Sequence, residues 1–524
     1  MIQPDQSQMT ISRNPATGVE LGRFAVHDSD HVLQVVNAAR AAQRQWGSVP
    51  VRQRVAHLRA VCTWFADHAD ELALTISREN GKTRIDAMAA EVAPAAMAVD
   101  YYCRHAPRLL RDRSVAAGNI VLANKRTRVV RVPYGVVGVI SPWNYPLSIP
   151  FSEVVMALLA GNAVVLKGAS VSQGVTRAIV ESLDAASLPV GLFACVNMPG
   201  PTAARALLDA GIDKLFFTGS TASGKQLMAE AARTLTPLVL ELGGKDPALV
   251  CEDADVHRAA AGIAWAGLQN CGQSCNGVER VYVHERVYHA FLAALKPIVE
   301  GLRVGCGQGF DVEMGVMTTE AQLRTVRAQM HDALTKGARI HAQSPTPSDS
   351  SLCSAHPAVV LVDVTTDMLV MREETFGPLL PVVKVASMDE AVALANDSEY
   401  GLTASVWSRN ASRADALARR LCAGVVMVND HGLCHGMSEV PFGGFKQSGF
   451  GRTHGGIGFD EMTQVQAIVR DILPGVKRSM WWYPHSQAVH DAVRGGIDAL
   501  YARGIARRLR GLVRLARLAP RYFR

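Results

Sequence analysis

Apolar and polar residues follow two different periodicities along this chain. Residues 28–118 place apolar side chains at spacings of three and four, as in HVLQVVNAARAAQRQW, and this spacing predicts amphipathic helices. The run VRQRVAHLRAVCTWFADHADELALTISRENG predicts a second long helix that ends at Gly81, because glycine is a common helix stop. The alternating segment VLANKRTRVVRVPYG instead predicts a solvent-facing hairpin near residues 121–135.

From about residue 136 onward, short apolar runs alternate with helical stretches. The first series contains the runs VVGVIS, AVVLKG, FACVNM, KLFFTG and LVLELGG. The second series follows Glu241 and contains ALVCED, RVYVHE, VLVDV, LPVVKV, TASVWS and GVVMVN. Strands that alternate with helices indicate parallel sheets covered by helices, so the sequence predicts an α/β protein with two such units in succession.

Length and charge refine this prediction. At 524 residues the chain is too long for one compact core, and we expect two or three structural units. The formal net charge of +7 is concentrated at the end of the chain, because residues 485–524 contain nine arginines, no lysine and two aspartates. The rest of the chain is close to neutral, and we therefore expect no nucleic-acid binding.

The cysteines point to a reducing compartment. Ten are present at scattered spacings, with no CxxC pair and no Cys/His spacing typical of zinc, so we expect free thiols and no metal site. No uncharged apolar stretch approaches the ~20 residues of a membrane-spanning helix, and the polar N-terminus does not resemble a secretory signal. We expect a cytoplasmic protein.

Four short segments hold the candidate chemistry. Cys275 in QNCGQSCNGVER could be a nucleophile, although a cysteine is more often a small buried residue. Glu241 in ELGGK could be a general base or merely a solvated acid, and Asn144 in SPWNYP could donate to an oxyanion or simply form a turn. FTGSTASG, residues 217–224, places a glycine turn before a helix, which suits a phosphate, but it lacks the GxGxxG fingerprint.

Taken together and in order, these motifs resemble the aldehyde dehydrogenase superfamily. The matching stretches are SPWNYP, GNAVVLK, FTGSTASG, ELGGKDP, NCGQSCNGVER, EETFGP, NDSEYGL and PFGGFKQSGFGR. They extend from about residue 140 to 452, and nearly the whole chain is covered except residues 485–524. The resemblance implies a Rossmann-type dinucleotide-binding domain, an α/β catalytic domain and a small β extension for oligomerisation.

The resemblance also implies a role for each site residue. Cys275 matches the family nucleophile, Glu241 the general base, and Asn144 the side-chain half of the oxyanion hole. The implied cofactor is NAD or NADP, and the residues implied to bind it are Ser141, Trp143, Lys167, Ser170, Gly219, Ser220, Leu242, Glu374 and Phe376.

The implied reaction converts an aldehyde to a carboxylic acid. Attack by a thiolate gives a thiohemiacetal whose oxyanion can expel hydride, and the thioester that remains is hydrolysed by water. A thiolate is needed near neutral pH, so we expect surroundings that lower the pKa of Cys275.

Two positions depart from the family pattern or add to it. After Lys167 the family often has KPSE, whereas this chain has KGAS, so Ser170 replaces a glutamate that would repel the 2′-phosphate of NADP. NADP use is therefore plausible, and NAD use stays open. Cys271, four residues before Cys275, could approach it and form a redox pair, although a small buried thiol is the commoner role.

The resemblance divides the chain into domains. Residues 1–120 and 136–240 are expected to bind NAD(P), and residues 241–440 to form the catalytic domain. Residues 121–135 and 461–480 are expected to exchange strands between the subunits of a homodimer or homotetramer.

The C-terminal residues have a pattern of their own. Across residues 497–518 apolar side chains fall on one helical face and most arginines on the other, with Arg508 as the exception. Such a basic amphipathic helix either rests on an anionic membrane surface or docks on the body or on a second subunit. MWWYP, residues 480–484, would be its aromatic hinge.

Three functions remain open at this point. The first is oxidation of a medium, long or aromatic aldehyde, and the second is oxidation of succinate semialdehyde, which needs a cation in the substrate funnel. The third is an inactive binding or structural protein, against which the intact Cys275, Glu241 and Asn144 argue. A CoA-acylating enzyme is disfavoured because Glu241 supplies the base that hydrolysis needs.

Overall fold

A computed structural model describes residues 9–119, 122–346, 352–473, 475–479 and 481–522. The described chain forms two compact units. The larger unit contains the described residues up to Leu110 together with Pro133–Gln464, and the smaller contains Arg111–Val132 and the residues from Val465 onward. Both large sheets belong to the larger unit.

The first large sheet has six strands. In spatial order these are Gly449–Phe450, Leu238–Glu241, Lys214–Thr218, Val136–Ile140, Ala163–Lys167 and Phe193–Cys195. All neighbours are parallel except the pair formed by Gly449–Phe450. The central strands Val136–Ile140 and Ala163–Lys167 are buried along their whole length, which is why they read as unbroken apolar runs.

The second large sheet has seven strands and its own core. In spatial order these are Arg339–Gln343, Val359–Val362, Leu379–Val385, Val278–His284, Asp246–Val250, Thr403–Trp407 and Val425–Val428. The neighbours are parallel except at Arg339–Gln343. The predicted α/β class is thus confirmed, and each of the eleven apolar runs contains one strand, the first series in one sheet and the second series in the other.

Helices cover the sheets of the larger unit. Their bounds are Ser29–Trp46, Val51–Leu58, Ala60–Asn80, Arg84–Ala87, Ala93–Leu109, Ser148–Ala160, Gln173–Asp184, Gly200–Asp209, Thr221–Ala231, Val256–Leu268, Glu285–Glu300, Glu320–Thr335, Leu369–Arg372, Met388–Asn396, Ala411–Ala418 and Gly455–Glu461. The run predicted as one helix over residues 51–81 is two helices that meet at Arg59, but Gly81 does end the second, in the left-handed conformation with φ 90°. Apolar spacing alone continues across such a break, because both helices bury the same side.

Two predictions about strands were incomplete. Met9–Arg13 and Glu20–Ala25 form an antiparallel pair that was not predicted, because most of their side chains are polar or exposed. The hairpin predicted within residues 121–135 is wrong. Lys125–Pro133 is a single strand, and it pairs with Arg113–Val115, which lies upstream. Local alternation identifies a strand but not its partner.

The smaller unit contains a three-stranded sheet and two helices. The strand order is Thr463–Asp471, Lys125–Pro133 and Arg113–Val115, and the helices are Gln487–Tyr501 and Ile505–Ala516. The amphipathic pattern over residues 497–518 had suggested one helix, but Gly504, with φ 89°, separates two. Met480 of the predicted hinge lies outside the described residues, whereas Trp481 and Trp482 are exposed. Within the described ranges, no helix combines the length and apolar character needed to span a bilayer.

Candidate active site

The candidate site lies at the carboxyl ends of four adjacent strands of the first sheet. Glu241 ends one strand and pairs with Thr218 at the end of the next, and Lys167 pairs with Ile140 in the same way. Ser141 follows Ile140, and its N–H donates to the carbonyl of Lys167 at 3.1 Å. Ligands of parallel α/β sheets bind at this edge, so the topology brings residues from distant motifs together.

A single cleft collects most of the predicted site residues. Those that line it are Trp143, Asn144, Gly219, Ser220, Glu241, Leu242, Cys275, Glu374 and Phe376. Pro142, Thr218, Gly243, Gln322 and Thr325 also line it and were not predicted. Ser141, Lys167 and Ser170 lie outside its lining, at or just beyond the ends of the strands Val136–Ile140 and Ala163–Lys167.

Cys275 is presented by a tightly constrained loop. Asn270, Cys271 and Gly272 have φ values of 49°, 56° and 70°, which is costly for the two residues that carry side chains. A methyl group on Gly272 would lie 2.2 Å from the carbonyl oxygen of Gly377, so only glycine fits there. Strain of this kind persists only where the surrounding structure enforces it, and here it fixes the approach to Cys275.

Cys275 lies between two cavities. Cys275 lines the cleft described above and also a second cavity with Tyr145, Trp265, Leu433 and His435. Burial and the negative charges of Asp246, Glu374 and Glu241 raise the pKa of its thiol well above the ordinary value. The expectation of a lowered pKa was therefore wrong for the chain by itself, because three carboxyl groups surround the thiol in a poorly solvated site.

Asn144 is held by an extensive hydrogen-bond network. Its Nδ2 donates to the carbonyl of Gln273 at 3.1 Å, and its own carbonyl accepts from Lys82 Nζ at 2.8 Å and from Asn270 Nδ2 at 3.1 Å. Lys82 in turn forms an ion pair with Glu91 at 2.6 Å, with both side chains fully buried. The Asn144 loop is thus anchored to the helical layer and to the Cys275 loop.

Glu241 is a buried carboxyl group without a partner. Among the described residues neither of its side-chain oxygens has a hydrogen bond, and burial together with the charge of Glu153 raises its pKa well above the ordinary value. A methyl group on Gly443 would lie 2.7 Å from its Oε1, so glycine leaves space beside the carboxyl group. Free oxygens, available space and a raised pKa suit a group that exchanges protons with water.

Glu374 and Phe376 lie on a loop that a second buried ion pair holds. Lys245 Nζ contacts Glu279 Oε2 at 2.6 Å, and Glu279 accepts from the N–H groups of Thr375 and Phe376, each at 2.8 Å. Glu374 accepts from Gly244 N–H at 2.9 Å, and burial raises the pKa of Glu374 to about 8. Phe376, with φ 48°, meets Trp143 edge-on, with 5.6 Å between ring centroids.

The remaining residues fit a dinucleotide. Ser141 Oγ and Thr218 Oγ1 are buried without a hydrogen-bond partner among the described residues, and Lys167 is buried with a pKa lowered by desolvation. Ser220 caps the helix Thr221–Ala231, whose N-terminus suits a phosphate. Unpartnered donors beside a helix N-terminus suit the ribose hydroxyls and phosphates of a dinucleotide. The residues present therefore agree with the implied cofactor.

The second cavity is largely apolar. Its lining includes Ile85, Ala89, Ala90, Pro94, Tyr145, Ile149, Trp265 and Leu433, and among the described residues that line it there is no lysine or arginine. Asp86 is the one acidic residue in that lining, and burial raises its pKa. The cavity is therefore suited to an apolar group rather than an anionic one.

Two thiols and two histidines near the candidate site have distinct surroundings. Cys271 is fully buried in the core of the second sheet, whereas a different thiol, Cys434, packs with Cys275 against Phe442. His435 lines the apolar cavity, with its pKa lowered to about 4 by burial, and is neutral at physiological pH. His431 is buried away from that lining, and its Nε2 lies 3.3 Å from Thr403 Oγ1.

The residues that sequence reasoning missed are those that position the site. Lys82, Glu91, Lys245 and Glu279 form two buried ion pairs, each beside a loop of the cleft. Lys245 lies inside the quoted motif ELGGK and Glu279 inside NCGQSCNGVER, and that proximity was the available signal. A buried ion pair has no periodicity that would identify its two partners.

Comparisons with known proteins agree with this geometry. The model of the aldehyde dehydrogenase family matches residues 2–468. A 4,4'-diapolycopene aldehyde oxidase from Methylomonas sp is 40% identical over 490 residues, which cover 93% of this chain and 90% of that protein. A protein of Mycolicibacterium smegmatis, assigned as a succinate-semialdehyde dehydrogenase [NADP(+)], is 38% identical over 472 residues, 89% of this chain and 90% of its own.

A solved structure extends the similarity to three dimensions. Succinate-semialdehyde dehydrogenase from Burkholderia pseudomallei superimposes with a TM-score of 0.84 at 34% identity, covering 89% of this chain and 95% of that chain. Family model, relatives and fold agree over nearly the whole length. The chain therefore belongs to the aldehyde dehydrogenase family, and it is an oxidoreductase that oxidises an aldehyde with NAD or NADP.

Proposed function

We propose that Cys275 is the nucleophile of this aldehyde oxidation. Cys275 lines both the cleft that fits the cofactor and the apolar cavity that could hold the aldehyde, and this position carries the proposal. Attack of the thiolate on the carbonyl carbon forms a C–S bond and leaves an oxyanion. The bound nicotinamide supplies the hydride acceptor, and a thioester on Cys275 remains.

Asn144 and Glu241 serve the two halves of the reaction. The Asn144 side-chain amide, held from both sides of its loop, donates to the oxyanion together with the backbone N–H of Cys275. Glu241 then removes a proton from the water that attacks the thioester, which its unpartnered oxygens support. Retention of all three groups in one cleft argues against an inactive binding protein on the same fold.

Two further residue groups hold the dinucleotide. Lys167 and Ser141 bind the adenosine ribose side, and Gly219 and Ser220 face the phosphates at the helix N-terminus. Trp143, Leu242, Glu374 and Phe376 surround the nicotinamide half, since all four line the cleft beside Cys275. Ser170 begins a short 3₁₀ turn after Lys167, where its hydroxyl accommodates a 2′-phosphate that a carboxylate would repel, and NADP is the favoured cofactor.

The substrate is an apolar aldehyde, aliphatic or aromatic. The alternative, succinate semialdehyde, carries a carboxylate that would have to enter a cavity with no lysine or arginine among its described lining residues and with Asp86 present. An unpaired buried carboxylate costs several kcal/mol. The names of the relatives differ, one being a 4,4'-diapolycopene aldehyde oxidase and two being succinate-semialdehyde dehydrogenases.

Domain roles and assembly follow the same division. Residues 1–120 and 136–240 form the NAD(P)-binding domain and residues 241–440 the catalytic domain, since the first sheet's last parallel strand ends at Glu241. The strands Lys125–Pro133 and Thr463–Asp471 would join subunits into a homodimer or homotetramer.

A substrate panel tests the proposed specificity. We expect kcat/KM for decanal to exceed that for succinate semialdehyde by at least about tenfold, because desolvating an unpaired carboxylate costs more than the ~1.4 kcal/mol that a tenfold change requires. Ile85 lines the cavity and is 56% exposed, so a substitution at this position can change the substrate preference. Ile85→Arg should raise the rate on succinate semialdehyde, and Ile85→Gln, of similar length but neutral, should not. A preference of the unaltered chain for succinate semialdehyde would overturn the proposal.

A further inference from the structure

The two C-terminal helices form a tight antiparallel hairpin. Gly495 and Gly511 make the close contact, because a methyl group on either glycine would lie within 2.7 Å of the other's carbonyl oxygen. Asp498, whose side chain is only 10% exposed, pairs with Arg507 at 2.9 Å across the hairpin. Leu515 packs against Val489 and Leu518 on the same side. The contacts that hold the hairpin together thus lie on the face where the two helices meet.

The second helix of this hairpin leaves an apolar stripe uncovered. Ile505, Leu509, Leu512 and Val513 are 78%, 56%, 44% and 53% exposed. With 3.6 residues per turn these four fall within an arc of about 100°, roughly opposite the buried Gly511. The stripe therefore faces away from the first helix, and nothing within the described residues covers it.

Arginines flank the stripe. Arg507, Arg510 and Arg514 follow on one side of it, and helical spacing puts Arg508 on the other. The whole segment 503–521 contains seven arginines and no acidic residue. Five of them, Arg503, Arg508, Arg510, Arg517 and Arg521, form no ion pair within the part of the chain that the structure describes.

We propose that the helix Ile505–Ala516 lies in the plane of an anionic phospholipid surface, with its apolar stripe among the acyl chains and its arginines on the phosphates. A bilayer surface offers apolar depth and negative charge side by side, which is what a stripe bordered by guanidinium groups requires. A nucleic acid would satisfy the arginines but leave the stripe in water. The exposed Trp481, Trp482 and Tyr483 are residue types that favour the same interface.

Vesicle sedimentation of the full chain tests this surface. We expect binding to mixed phosphatidylglycerol–phosphatidylcholine vesicles that weakens with added salt, and far weaker binding to pure phosphatidylcholine. Leu509→Asp should weaken the partition coefficient by more than about tenfold, since it removes a leucine that would lie among the acyl chains and also adds one negative charge. The matched control Ala506→Asp changes the charge equally outside the stripe and should cost only about fivefold.

Three outcomes would overturn the proposal. One is binding of the full chain to neither vesicle type, and another is equal binding of the two aspartate variants, which would mean nonspecific charge attraction. A change of oligomer mass in Leu509→Asp, measured by sedimentation velocity, would assign the stripe to a second copy of the chain. Aldehyde turnover without vesicles should be the same in both variants and in the unaltered chain, which shows that each variant is folded and separates this test from that of the catalytic proposal.

Discussion

In the proposed mechanism, Glu241 is the base that completes the cycle. Its carboxyl group has no hydrogen-bond partner among the described residues, and burial raises its pKa, so protonation removes the base as the pH falls. Thioester hydrolysis should therefore rise with pH until Glu241 is fully ionised. A kcat–pH profile that falls with rising pH in this range would contradict the assignment.

Substitution of Glu241 separates the two chemical steps. Glu241→Gln should still release about one equivalent of reduced cofactor per active site in a burst, because Cys275 is intact, while steady-state turnover falls by roughly 10²–10⁴. Rapid-mixing absorbance of the reduced nicotinamide measures both. Cys275→Ala should abolish burst and turnover together, and Cys422→Ala, at an exposed thiol, should leave both intact. Full turnover in Glu241→Gln would exclude the proposed base.

At the same scale, single-residue chemistry was the part most readable from sequence. Cys275, Glu241 and Asn144 were found from their motifs, and the fold does bring them to one cleft. The direction of the Cys275 pKa was not readable, because Asp246, Glu374 and Glu241 approach the sulfur only in three dimensions. Cys271 is a small buried thiol, its commoner expected role, whereas the packing of Cys434 beside Cys275 was not readable for the same reason.

At the scale of elements, a buried ion pair fixes the Asn144 loop. Lys82 bridges Glu91 and the Asn144 carbonyl, and Glu91 also accepts from Leu147 N–H at 2.8 Å. Lys82→Met would leave a buried carboxylate uncompensated, a change that typically costs about 3–5 kcal/mol. We expect a clearly lower thermal midpoint and a reduced kcat.

The control for this prediction is an exposed pair. Lys296 and Glu300 lie 2.6 Å apart with side chains 48% and 44% exposed, and Lys296→Met should cost less than about 1 kcal/mol. Calorimetry on both variants makes the comparison. The second variant Lys82→Met/Glu91→Gln should recover part of the loss. Equal thermal midpoints of the Lys82→Met and Lys296→Met variants would show that the buried pair stabilises the fold no more than the exposed pair does.

At the scale of the whole molecule, one strand edge points to assembly. Thr463–Asp471 is the outer strand of its sheet, and Val465, Ile468 and Val469 are 64%, 45% and 60% exposed. An apolar edge strand has unpaired backbone N–H and C=O groups that can pair with a strand of another chain. Val469→Lys should therefore shift the particle toward smaller species in light scattering. Val190→Lys, the same change at a 99% exposed site, should not, and an unchanged mass in both would count against a subunit interface at this edge.

The proposed lipid contact is consistent with the proposed apolar substrate. An aldehyde that fits an apolar cavity partitions into membranes, so an enzyme resting on the lipid surface would meet its substrate where it is concentrated. The two proposals rest on different residues, and each is tested without the other.

The amino-acid sequence by itself determined the α/β class, the eleven main strands and the candidates for the reacting groups. These features are local, because a buried strand is an apolar run and a catalytic motif is a short string of residue types. The tertiary structure alone decided which strands pair, how the buried ion pairs hold the loops and the direction of the Cys275 pKa. Each of these depends on atoms far apart along the chain, whose approach is a property of the folded packing.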